Sequence, residues 1–201
     1  MKKMSVLERL LLFLTGLLAA YQIAIGIEGL HTLPTVSYTI AFGVLLIAGL
    51  LMIILGFDIL DSPLVVVAAT IIPLSLSMGM IWQYAPSFRN AYLTFCILGF
   101  LLVVSTRIFV PGLGAIIILS LVHGVAGMVI TLMPFALVWR GSVSPGFVLV
   151  GVGGTLIGLG GLLLSFLKTG KPIISHQTIL KVLPGLLLLM TAAFVGGFAL
   201  V

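Results

Sequence analysis

Long apolar runs separated by short connectors full of helix breakers set the pattern of this chain. Seven runs stand out, near Leu10–Gly29, Ser37–Phe57, Pro63–Gln83, Ala91–Phe109, Gly112–Val138, Gly146–Leu167 and Thr178–Leu200. Each approaches the ~20 residues that a helix rising ~1.5 Å per residue needs to cross a hydrocarbon core. Between them lie HTLPTVS, DILDSP, YAPSFRN, RIFVPG, WRGSVSPG and KTGKPIISHQ. Pro34, Pro63, Pro86, Pro111, Pro145 and Pro172 sit in or beside these connectors, where helices end or begin. The alternating polarity of membrane β-strands is missing. The pattern predicts an all-α integral membrane protein, a bundle of about seven transmembrane helices forming one domain over residues 1–201. The connectors are too short to build an extramembrane domain.

Composition sharpens that picture. Hydrophobic residues make up 62% of the 201 positions and charged residues 6%. A soluble domain carries about 25% charged residues, so these few charges cannot cover a water-facing surface. The net charge of +5 does not point to nucleic acid, because the basic residues are scattered between apolar runs instead of clustered in a patch. Nor does the chain hold a phosphate-cradling nucleotide loop. With one cysteine, Cys96, an intrachain disulfide and a cysteine metal cluster are both excluded.

The charges act as topology signals. With the N-terminus in the cytoplasm, Lys2, Lys3, Arg9, Arg107, Lys168, Lys171 and Lys181 fall inside, and only Arg89 and Arg140 fall outside. That bias predicts an N-in, C-out protein of the cell membrane. Tyr38, Trp82, Tyr84, Tyr92 and Trp139 fall at the outer helix ends, where amphipathic rings favour the interface. The N-terminal stretch imitates a secretory signal, but Leu18 stands where a cleavage site wants a small residue, so an uncleaved first helix is expected.

Small residues predict packing. Gly151, Gly154, Gly158, Gly161 and Ser165 share one face of the sixth helix, the spacing that lets backbones approach closely in lipid. The face fits a neighbouring helix of the same chain or a second subunit. Weaker stripes run through Gly16, Ala20 and Ala24 and through Ala192 and Gly196. Pro73, inside the third helix, predicts a kink with freed carbonyls. Gly49–Phe57 faintly echoes Gly158–Phe166, which would make helices 1–3 and 5–7 parallel copies joined by helix 4.

Few side chains could carry chemistry. His123 is the one ionisable residue near the middle of a span, and such a residue is a candidate site because burying it unpaired is costly. The alternative is a neutral imidazole packed against a neighbouring helix. His31 and His176 lie in connectors on opposite sides, so one chain cannot supply a second histidine ligand for a haem. Glu8, Glu28, Asp58 and Asp61 all avoid mid-membrane, which argues against an ion-coupled carrier. Asp58 or Asp61 could pair with Arg107 at the inner surface, and Glu28 could line an outward cavity. Hydrolase and metalloprotease motifs are missing, so an enzyme is not expected, and no cofactor or metal site is predicted. His123, Glu28 and Pro73 mark the one possible polar pathway.

Three readings follow. The first is a non-catalytic component of a membrane complex, whose partners are the lipid bilayer and other subunits or a second copy. The second is a small-solute carrier or channel, and the third a haem- or quinone-binding redox subunit built on His123.

Overall fold

The computed structural model describes residues 4–27, 29–110, 112–168 and 175–200, with the backbone alone over 162–168. The described residues form helices and no strands. The long helices are α1 (Val6–Ile25), α2 (Thr32–Leu55), α3 (Pro63–Tyr84), α4 (Arg89–Phe109), α5 (Leu113–Trp139), α6 (Val148–Lys168) and α7 (His176–Ala199). Six of them, all but α6, are long and apolar enough over their described residues to cross a membrane. Their outward faces carry large apolar side chains, among them Phe13, Ile47, Ile54, Leu101, Phe109, Leu132 and Leu189. That arrangement is compatible with a multi-span membrane protein, since water would penalise so much exposed apolar surface.

The starts of α1 and α2 depart furthest from the hydropathy boundaries. α1 begins at Val6 because Ser5 and Glu8 form a reciprocal capping box: Ser5 Oγ accepts from the Glu8 amide, and Glu8 accepts from the Ser5 amide at 2.7 Å. It ends at Ile25, where Gly26 takes φ 66°. α2 starts at Thr32, five residues before the apolar run, and contains Pro34 in its first turn. A proline is tolerated there because first-turn amides lack an intrahelical acceptor.

Six helices close a ring in the order α1, α2, α3, α5, α6, α7 and back to α1, while α4 lies outside against α3 and α5. The same order of neighbours recurs in the two triplets. α1 packs on α2 as α5 does on α6, α2 on α3 as α6 does on α7, and α1 meets α7 as α5 meets α3. Buried positions follow suit. Ile72, Leu76 and Met80 of α3 face the same core as Met190, Phe194 and Phe198 of α7. Gly79 lies against Tyr38 of α2, and Gly197 lies against Val150 of α6.

The core fills the ring. At the end where α2 and α6 begin, here the far end, Tyr38 stacks 4.7 Å from Phe198, which lies 6.1 Å from Phe147 and 6.2 Å from Phe42. At the near end, where α1 begins, Phe57, Leu180 and Leu183 pack with Met4 and Leu60. Midway, Ala41, Phe42, Leu45, Ile72, Leu76 and Phe194 border a gap too narrow for a water molecule.

Candidate functional site

Four buried Thr and Ser hydroxyls inside the bundle are satisfied by their own helices. Thr15 donates to Leu11 O at 2.9 Å, Thr70 to Val66 O at 2.8 Å, and Thr191 to Leu187 O at 2.7 Å. Ser77 donates to Pro73 O at 2.6 Å. This back-bonding spends those four protons, while the buried hydroxyls of Tyr38 and Tyr92 have no partner. Pro73 itself is buried in the packed wall of α3. It borders neither of the small clefts that the ring contains.

His123 sits in the first half of α5, half-buried. Its Nδ1 lies 3.1 Å from the carbonyl of Leu119, one turn back on the same helix. Its partner is therefore neither Ser120 nor a carbonyl of a neighbouring helix. Asp58 and Asp61 are exposed on the 3-10 turn Phe57–Asp61, and no described residue forms an ion pair with Arg107. The expected surface pairing of this trio is not formed. A helical side chain leans toward the start of its own helix, which carries the Arg107 guanidinium inward from the end of α4.

Glu28 lies outside the described residues, as does the side chain of Ser165. Gln22, near Glu28 in sequence, is buried. It donates from Nε2 to Gly26 O at 2.8 Å, which secures the end of α1, and its Oε1 has no partner. The shallow cleft beside it, between α1 and α2, holds about one water molecule. His31 and His176 are exposed at opposite ends of the bundle. Among the described residues no group of three His, Cys, Asp or Glu side chains is placed to hold a metal.

The glycine face of α6 divides. Gly151 and Gly154 are buried against α5, where an added Cβ would come within 2.8 Å of Thr131 O and Thr131 Oγ1 respectively. Gly158 and Gly161 are exposed, and an added Cβ there would meet no described atom within 4 Å. A second glycine face, missed by the sequence reading, packs α6 on α7. An added Cβ on Gly153 would lie 2.6 Å from the Phe194 ring, and one on Gly160 would lie 2.9 Å from Leu186. The seven-residue spacing of Gly153 and Gly160 is the signal that could have found it.

Comparison with protein-family models, with characterised proteins and with solved structures gives no match for this chain. Its function has to be argued from the geometry alone.

Proposed function

We propose that this chain is a non-catalytic component of a membrane complex, a subunit, assembly factor or scaffold that works through its lipid-facing surface. The observation that carries this reading is the filled axis of the ring. Aromatic and aliphatic side chains occupy it from Phe147 and Phe198 at the far end to Leu180 and Leu183 at the near end. The hydroxyls of Thr15, Thr70, Ser77 and Thr191 are spent on their own carbonyls. What the chain presents to other molecules is its surface, including the exposed glycines of α6. The charge bias supports a place in a cell membrane with the N-terminus cytoplasmic.

A pull-down from native membranes in mild detergent, with mass spectrometry of what remains bound, tests the reading. A stoichiometric partner supports it. A chain that emerges alone refutes it.

The matched order of neighbours in α1–α3 and α5–α7 favours a second reading, a small-solute carrier built from two parallel three-helix repeats joined by α4. It predicts solute flux in vesicles containing the purified chain.

A further inference from the structure

Gln22 is a polar side chain inside the bundle, 3% exposed. Its amide has one fixed direction. The Gly26 carbonyl can only accept, so the nitrogen, Nε2, faces it at 2.8 Å and Oε1 turns the other way. Among the described residues that buried oxygen has no donor. Leaving a buried carbonyl oxygen unpaired is costly. Gln22 lines the cleft between α1 and α2, which has room for about one water molecule. On α2 the cleft meets Thr35, Tyr38, Thr39 and Phe42, whose spacing of 3, 1 and 3 residues makes one helical face. Thr35 spends its proton on His31 O at 3.0 Å. Tyr38 is 3% exposed, and its buried hydroxyl has no partner.

An oxygen that only accepts requires a guest that donates. A cation would do so, but among the described residues no carboxylate lines the cleft to balance it. A neutral O–H group meets both needs, because it donates once and accepts once. We propose that the α1–α2 cleft binds one hydroxyl group, which donates to Gln22 Oε1 on one wall and accepts from the Tyr38 hydroxyl on the other. The hydroxyl belongs to a water molecule or to an amphiphilic alcohol, whose tail the apolar walls at Ile23, Ile27 and Leu30 would cover. Thr70, Ser77 and Thr191 are not in the lining, so the guest leaves the axis of the ring dry. The site does not depend on whether the chain is a complex component or a carrier.

The test is a crystal structure of the full chain, grown from a monoolein mesophase at a resolution that shows ordered waters. The expected result is a density peak about 2.8 Å from Gln22 Oε1. A round, isolated peak assigns the hydroxyl to water. A peak that continues as a tail along Ile23 and Leu30 assigns it to an alcohol, either monoolein or a lipid carried through purification. Gln22→Met, which removes the acceptor at similar volume, should lose the peak. Tyr38→Phe keeps the ring and answers for a Met variant that fails to fold. If the Tyr38 hydroxyl holds the guest, that variant lowers the thermal midpoint by about 2–4 °C, the scale of one net hydrogen bond in a chain of this size. Removing an orphan hydroxyl would raise the midpoint instead. A cleft with no peak within reach of Oε1, a peak unchanged in Gln22→Met, or a midpoint that rises in Tyr38→Phe overturns the site.

Discussion

The α1–α2 seam and the α5–α6 seam hold equivalent places in the ring, yet they bring their helices together by different means. In the first, a Cβ added at Gly16 would crowd the flexible end of Leu46 at 3.3 Å from Cδ1, and one at Gly49 would rest in ordinary contact 3.5 Å from Leu12 O. Neither contact is as close as those of the second seam. In the second, Gly151 and Gly154 let backbone meet backbone, with Thr131 O 2.8 Å from the Cβ that Gly151 lacks. The seam then opens: Gly124 and Gly127 of α5, like Gly158 and Gly161 of α6, would place a Cβ where no described atom lies within 4 Å. The lesson is that glycine spacing marks where a close approach is permitted, and the neighbour decides which part of the stripe uses it.

The other contrast lies between α3 and α7. On α3, Leu74, Met78 and Ile81 are buried, Leu74 in a cluster with Val103 of α4 and Met78 and Ile81 in one with Tyr92 of α4. The matching positions on α7, Ala192, Gly196 and Ala199, have no α4 over them, and Ala192 and Ala199 are exposed. An extra helix on one triplet accounts for large residues on α3 and small ones on α7.

The largest effect should come from closing a backbone contact. Gly197→Leu would drive a side chain into Val150 N, 2.7 Å from the added Cβ, and should cost about 3 kcal/mol or prevent folding. Gly154→Leu should cost nearly as much, about 2–3 kcal/mol, read as a lowered thermal midpoint in detergent. Next, Leu74→Ala should lose about 2–3 kcal/mol beneath α4, while Ala192→Leu on α7 should be almost neutral. If the two were equally harmful, the difference between the triplets would fail. The caps offer a smaller contrast: α1 has its box, and α5 begins after Gly112, an N-cap with no side chain to bond. Ser5→Ala should therefore cost about 1 kcal/mol. The smallest effect belongs to Gly158→Leu, expected to shift stability by less than about 0.5 kcal/mol because its site is open. A loss matching that of Gly154→Leu would show that the α5–α6 seam closes along its whole length.

Much of this fold could be read directly from hydropathy and breakers. Pro63 begins α3 as its position demanded, and the 3-10 turn at Pro145 leads into α6. The errors came from local chemistry that hydropathy ignores. The Ser5–Glu8 box lengthened α1 at its start, and Pro34 proved compatible with a first turn. Neighbour order was not legible, because α4 is as apolar as the ring helices and nothing in its own sequence excludes it from the ring. Arg107 illustrates the same limit at the candidate site. Its position in sequence suggested a surface charge, yet its Nε is buried without an acceptor. His123 itself was visible from the start, since a lone ionisable residue inside an apolar run stands out. Its hydrogen bond to Leu119 depends on a rotamer that spacing does not fix.

The central claim is that the bundle interior is sealed from water. Single cysteines placed at Thr70, Ser77 and Thr191 in a Cys96→Ser chain, probed in vesicles with a water-soluble maleimide from each side, test it directly. The account predicts no labelling at the three interior positions from either side, with full labelling of a control cysteine at exposed Ser142. Labelling of any interior position would contradict it, revealing a water path through the ring and giving the carrier reading the lead.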